Sequence, residues 1–128
     1  MKTLITIGLV CGLVFAAFAA DAKGLTKQIK FSRGASETAV EDCVLLSERN
    51  TYTLDAKAGQ TMTVKIKAEE DNAVFEIYKP GGKSAYPKAG EQDDTTSWTG
   101  TLTDSGKQSI IVGGTRGNAC YRLTVGIK

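Results

Sequence analysis

The chain has 128 residues, a formal net charge of +2 and no histidine. This length accommodates a single domain. The lack of histidine excludes a histidine general base, a Ser-His-Asp or Cys-His nucleophilic site and any imidazole metal ligand. The small net charge argues against a nucleic-acid-binding protein, which would carry a large basic excess. The hydrophobic content of 41% is enough for a folded core and excludes wholesale disorder.

The beginning of the chain has the composition of a secretory signal peptide. A short basic segment precedes a predominantly apolar run at 4–18, and a small-x-small cleavage motif, Ala-Phe-Ala, stands at 17–19. The apolar run is shorter than the roughly 20 residues needed to span a bilayer. We therefore expect a signal peptide at 1–19, cleaved as late as residue 22, and a single periplasmic or secreted domain at 20–128. No membrane segment is expected after cleavage.

Two cysteines, Cys43 and Cys120, follow the signal peptide. In an exported chain, two cysteines are expected to form one disulfide. Cys120 has the opposite parity to Tyr121 and Leu123 within the last predicted strand. The disulfide is therefore expected at a sheet edge, on a sheet exterior or at a strand end, where it would link the second strand to the last.

The rest of the chain consists of short segments in which apolar and polar residues alternate. The clearest is 61–67, where Met62, Val64 and Ile66 face one side, with threonine and lysine side chains on the other. Eight strands are predicted, at 28–31, 38–46, 51–56, 61–67, 73–78, 97–102, 108–112 and 121–127. Glycine-containing turns separate several of them, and an irregular loop is expected at 81–95. The pattern predicts an all-β fold, either an antiparallel β-sandwich or a small barrel.

The phase of the alternation also predicts which side chains face the core. The inward set includes Ile29, Phe31, Val40, Val44, Leu46, Tyr52, Leu54, Trp98, Ile110 and Val112. Tyr52 lies near the start of its strand, so its hydroxyl is expected to reach the surface.

Few residues suggest chemistry. The acidic stretches at 69–72 and 91–94 could bind Ca²⁺ or supply a pair of glycosidase carboxylates. Neither has the alternating spacing of a calcium loop, so solvated loops are favoured, and no metal or cofactor is predicted. Ser105 stands in an Asp-Ser-Gly turn without a base to activate it, and Arg116 stands at the tip of a glycine-containing loop. Each is either an ordinary turn residue or a contact offered to a protein partner.

Three motifs resemble a known family. They are NTYTLDAKAGQT at 50–61, LTDSGK at 102–107, and an arginine-bearing loop followed by a final Tyr-x-Leu-x-Val strand. Together they resemble the periplasmic inhibitors of g-type lysozyme, over roughly 31–128. The chain is more distantly similar to the bacterial pre-peptidase C-terminal domain, which is also a β-sandwich.

The resemblance implies a β-sandwich without catalytic activity in which exposed loops at one end of the sandwich plug a lysozyme cleft. The residues carried over as partner-binding are Tyr52, Ser105, Gly106, Lys107 and Arg116. The chain departs from the family pattern at Gln108, where an aromatic residue usually follows Ser-Gly-x. A monomer or weak homodimer is expected.

Two hypotheses follow. In the first, the protein is a secreted or periplasmic lysozyme inhibitor, with g-type lysozyme as the favoured partner. In the second, it is a non-catalytic envelope binding module of the pre-peptidase type, directed at glycan or protein. Pre-peptidase modules usually sit beside an enzyme, whereas this domain follows its predicted signal peptide directly, which favours the inhibitor.

Overall fold

A computed structural model describes residues 24–128, so the predicted signal peptide and its cleavage site lie outside the described residues. Eight strands are present: β1 (Thr26–Gln28), β2 (Glu37–Val44), β3 (Arg49–Ala56), β4 (Thr61–Ala68), β5 (Ala73–Tyr78), β6 (Ser97–Thr101), β7 (Gly106–Gly114) and β8 (Ala119–Ile127). In this part of the chain no helix is long and apolar enough to cross a membrane.

The strands form two four-stranded sheets, with orders β1-β3-β7-β5 and β2-β8-β4-β6. All pairs are antiparallel except β1 with β3. Because inward-facing residues alternate along each strand, the two sheets bury a shared core. That core includes Leu54, Val64, Phe75, Ile110 and Leu123. This architecture confirms the predicted β-sandwich.

The first strand lies earlier in the chain than the predicted 28–31. It covers Thr26–Gln28 rather than 28–31, and it pairs parallel with β3. All three of its residues are exposed, whereas Ile29, just beyond it, is buried and donates its backbone N–H to Thr53 O at 2.7 Å. A three-residue exposed strand has no alternation of apolar and polar residues. The sequence pattern therefore predicted the buried Ile29 but not the pairing of β1 with β3.

The second strand was predicted to run too far. It ends at Val44, and Leu45 and Leu46 are 51% and 65% exposed instead of continuing the inward face. The backbone turns here, with Glu48 N–H donating to Leu45 O at 3.0 Å. Parity predicted an inward Leu46 because nothing in the Leu-Leu-Ser-Glu sequence marks a turn.

The 79–96 connection closes one side of the sandwich between the edge strands β5 and β6. Most of it is irregular, as predicted for 81–95, but it is held firmly. Tyr86 N–H donates to Ile77 O, and Ile77 N–H donates to Ala89 O, both at 2.9 Å. Trp98 of β6 donates its indole N–H to Pro87 O at 2.9 Å. Trp98 is buried, as its phase predicted.

The predicted disulfide joins Cys43 to Cys120, which are directly opposite each other on β2 and β8. Both cysteines are exposed, so the bond lies on the outer face of the sheet at its β2 edge. This confirms the placement that parity predicted. The bond links the second strand to the last across a sequence separation of 77.

Candidate functional site: the two loop ends of the sandwich

The register of β7 determines where the candidate partner-binding residues lie. Gly106 of β7 is paired with Ala56, and Gly113 with Arg49 at the far end of the same strand. Ser105 therefore precedes one end of β7, and Arg116 follows the other. At about 3.3 Å per residue, a nine-residue strand separates these ends by roughly 26 Å. The structure does not bring Ser105 and Arg116 together.

We call the turns 57–60 and 102–105 the Ser105 end. Ala58 N–H donates to Ser105 Oγ at 2.8 Å. Gly59 N–H donates to Leu102 O, and Leu102 N–H donates to Gln60 O, both at 2.8 Å. The Ser105 hydroxyl thus fastens one turn to the other, which makes this end rigid. Ser105 is itself exposed.

Gly106 and Lys107 follow Ser105 into β7. Gly106 has a φ of 135°, in the region that favours glycine, and a Cβ there would lie 3.1 Å from the Pro80 ring. Glycine is therefore required by the turn. Lys107 is exposed on the outer face of its sheet and is paired across strands with Asp55.

Gln108, where the chain departs from the family pattern, is an interior residue with 0% exposure. Its Nε2 donates to Asp104 O at 2.8 Å, and its Oε1 accepts from the Tyr86 hydroxyl at 2.8 Å. Burial raises the pKa of Tyr86, so this hydroxyl is a neutral donor at pH 7. Position 108 thus carries a glutamine instead of an aromatic residue, and the glutamine bonds a buried tyrosine of the 79–96 connection. In this chain position 108 faces the core rather than a partner.

We call the loops 45–48, 69–72 and 115–118 the Arg116 end. One Arg116 guanidinium N–H donates to Glu70 O at 2.7 Å. The buried Asn72 amide donates to Arg116 O at 3.1 Å and to Asn118 O at 3.0 Å. Asn118 Oδ1 accepts from Leu46 N–H at 2.6 Å. These bonds fasten the three loops to one another.

Glycine allows the 115–118 loop to fold this tightly. A Cβ at Gly114 would lie 2.7 Å from Gly117 O, which is closer than real side chains approach backbone. The exposed Arg116 lies in this loop, between Thr115 and Gly117. Since a guanidinium has five N–H donors, the one bond to Glu70 leaves others for an external carboxylate.

The prediction that the Tyr52 hydroxyl reaches the surface is wrong. Tyr52 has 0% exposure, and its hydroxyl lies 2.6 Å from that of Tyr121. Asn50 Nδ2 donates to the Tyr121 hydroxyl at 2.8 Å and to Cys43 O at 3.1 Å. Burial, followed by the hydrogen bond to Tyr121, raises the pKa of Tyr52 far above its usual value. Tyr52 is a core residue in this structure.

Three asparagines form structural hydrogen bonds that the sequence pattern did not predict. Asn50, Asn72 and Asn118 each lie at or beside a strand terminus, and two of them are almost fully buried. The available signal was an amide side chain next to an apolar strand, which is common in turns generally. Only the tertiary structure distinguishes a buried amide that joins two loops from an exposed turn residue.

The acidic stretches form no metal site. Among residues 24–128, no group of three or more carboxylate or cysteine side chains is placed to hold a metal ion. Asp93, in the second stretch, accepts a hydrogen bond from Gly90 N–H at 2.8 Å. Its side chain stabilises the local turn of the 79–96 connection.

The fold and its fastened loop ends define the class: a small, disulfide-linked β-sandwich domain. No family model and no curated protein matches the chain, but solved structures do. The periplasmic inhibitor of g-type lysozyme from Aeromonas hydrophila, PliG, is 34% identical, with a TM-score of 0.70; the match covers 83% of this chain and 98% of that one. The chain belongs to the PliG family of periplasmic inhibitors of g-type lysozyme.

Two further structures share the fold at lower identity. The Salmonella Typhimurium PliG inhibitor is 22% identical, with a TM-score of 0.66, over 82% of this chain and 99% of that one. The pre-peptidase C-terminal domain of a Bacillus anthracis collagenase is 14% identical, with a TM-score of 0.58, over 80% of this chain and 94% of that one. These similarities confirm both resemblances noted in the sequence. The named PliG proteins are inhibitors rather than enzymes, which agrees with the expected lack of catalysis.

Proposed function

We propose that this protein is a periplasmic lysozyme inhibitor, with g-type lysozyme as its favoured partner. The observation that carries the proposal is the 34% identity to the Aeromonas hydrophila inhibitor over 98% of that protein's chain. The similarity to the pre-peptidase domain is too low in identity to support more than a shared fold, so the envelope-module hypothesis gains no separate support.

We further propose that the protein blocks the enzyme by inserting one loop end into the active-site cleft. Ser105 and Arg116 were expected to act together, but their separation along β7 means that a single end can present only one of them. Lysozyme clefts carry catalytic carboxylates. A guanidinium pairs with a carboxylate through two parallel N–H donors, which favours Arg116 as the contact.

The hydrogen bonds at the two ends also favour Arg116 over Ser105 as the residue that contacts the cleft. The Ser105 hydroxyl already accepts a bond from Ala58 and serves the fold. At the Arg116 end, hydrogen bonds fix the backbone, and the exposed guanidinium uses one N–H to bond Glu70 O and keeps its other donors for a partner. Fixing a contact residue before binding lowers the ordering cost of association. Because the whole chain is nearly neutral, affinity depends on such local contacts rather than on long-range steering.

The proposal is tested by a cell-wall turbidity assay with purified protein and g-, c- and i-type lysozymes. We expect stoichiometric inhibition of the g-type enzyme at submicromolar concentration and weaker inhibition of the others. No inhibition of any lysozyme at micromolar protein would contradict the proposal. Inhibition confined to another type would contradict the g-type preference alone.

The choice of end is tested by two matched variants. Arg116→Ala is expected to weaken inhibition about 10- to 100-fold, the effect of losing a central charged anchor. Ser105→Ala removes a hydroxyl from the other end and is expected to leave the inhibition constant within about threefold, although it weakens the turn. The reverse ranking would assign the cleft contact to the Ser105 end.

A further inference from the structure

Two adjacent leucines are exposed at the Arg116 end. Leu45 and Leu46 are 51% and 65% exposed, while the other large apolar side chains of residues 24–128 are buried or half-buried. Isolated surface leucines are common and need no explanation. Here the two lie together at the tip of one loop, where folding alone gains little from them.

The turn that carries the leucines has an unfavourable local sequence. Glu48 N–H donates to Leu45 O at 3.0 Å, and Ser47, the third residue of the turn, has a φ of 68°. Turns with a positive φ at this position favour glycine or asparagine. A serine there keeps a less common backbone conformation. Neither the leucines nor the serine is what turn chemistry alone would select.

The leucine turn and the arginine loop form one unit. Leu46 N–H donates to Asn118 Oδ1 at 2.6 Å, and the Asn72 amide donates to the backbone on both sides of Gly117. The Cys43–Cys120 disulfide lies at the base of both loops, joining the strand that leads to the leucine turn with the strand that leaves the arginine loop. The apolar pair and Arg116 are therefore offered to a partner in a fixed arrangement.

We propose that Leu45 and Leu46 are the apolar anchor of the inhibitory surface. They occupy a hydrophobic or aromatic sugar-binding subsite of the lysozyme cleft, next to the carboxylate with which Arg116 pairs. This inference rests on the proposed function. Ligand clefts are lined mainly by apolar and aromatic side chains with a few charged groups. A loop end that presents two exposed apolar side chains and an exposed guanidinium complements such a cleft.

The test is the inhibition constant against g-type lysozyme of a Leu45→Ser, Leu46→Ser double variant. We expect inhibition to weaken about 10- to 100-fold, mainly through faster dissociation, with an unchanged melting temperature because both side chains are already solvated. A Leu45→Met, Leu46→Met variant keeps the apolar surface and is expected to inhibit within about threefold of the unsubstituted protein.

A matched control removes two exposed lysine side chains at the opposite end of the sandwich, by Lys57→Ser with Lys128→Ser, and is expected to leave inhibition unchanged. Lys128 lies at that end because its N–H donates to Thr61 O at 3.0 Å. Suppose that the double serine variant inhibits as strongly as the unsubstituted protein, whereas Arg116→Ala inhibits more weakly. This result would overturn the leucine anchor and leave the proposed inhibitor function intact. If the unsubstituted protein inhibits no lysozyme, both proposals fail.

Discussion

At the scale of single residues, buried hydroxyl and amide side chains form hydrogen bonds with one another inside the core. Tyr52 and Tyr121 share a hydrogen bond inside the core, and Asn50 donates to the second hydroxyl. In the described part of the chain, no buried side-chain nitrogen or oxygen lacks a partner. Such satisfied polar groups specify one packing arrangement, because an unpaired group in the same place would be costly. The resemblance pointed to Tyr52 as a contact residue, but its structural role is in the interior.

The buried tyrosine pair is expected to make the free energy of unfolding fall at high pH. Burial raises the pKa of both Tyr52 and Tyr121, so the folded protein keeps their protons above pH 10, where the unfolded chain releases them. Stability should then be constant below about pH 9 and fall above about pH 10, by up to about 1.4 kcal/mol per pH unit for each tyrosine. Urea unfolding between pH 8 and pH 11.5 measures this fall.

Tyr52→Phe is the variant that isolates the effect. It is expected to cost about 0.5–1.5 kcal/mol at pH 7, since one buried hydrogen bond is lost, and to make the alkaline fall shallower. An identical pH dependence in the variant and the unsubstituted protein would refute the role given to Tyr52.

At the element scale, the disulfide and the loops beside it form the base of the Arg116 end. Among residues 24–128, β2 is an edge strand paired with β8, and Cys43 and Cys120 link the two strands directly. The bond closes a loop with a sequence separation of 77. Because it restricts the unfolded chain, a disulfide that closes a loop of this length is expected to raise the free energy of unfolding by about 4–5 kcal/mol.

Removing the disulfide is expected to affect stability and inhibition together. The Cys43→Ser, Cys120→Ser variant should lose about 2–5 kcal/mol of unfolding free energy, measured by urea titration at pH 7. Inhibition of g-type lysozyme should weaken as well, because the leucine turn begins next to this bond and the arginine loop ends next to it. A variant that is destabilised but inhibits at full strength would show that the loops keep their arrangement without it.

Strand alternation explains how much of the fold could be predicted from the sequence. β4 and β5 follow strict alternation, and β5 was predicted with its observed bounds. The pattern failed at Leu46, where parity continued past a turn, and at β1, where three exposed residues pair without an apolar face. The candidate site was predictable only in part. The contact role of Arg116 follows from its glycine-containing loop and the family resemblance, and it stays a prediction. Asn72 and Asn118 act through contacts 44 or more residues distant, which no local pattern contains.

At the scale of the whole molecule, the sandwich separates two loop ends of different character. The Ser105 end carries Lys57 and Asp104, whereas the Arg116 end carries Glu48, Glu69, Glu70 and Asp71 around its arginine and leucines. Short motifs can point to both ends, since motif spacing along the chain does not show that β7 runs from one end to the other. Only the topology shows that the two motifs lie at opposite ends of the sandwich.

Amide hydrogen exchange of the protein, alone and in complex with g-type lysozyme, tests whether the Arg116 end is the one that enters the cleft. We expect slower exchange on binding at 45–48 and 115–118, with unchanged exchange at 57–60 and 102–105. Protection confined to 57–60 and 102–105, or no protection at either end under conditions where lysozyme is inhibited, would contradict it.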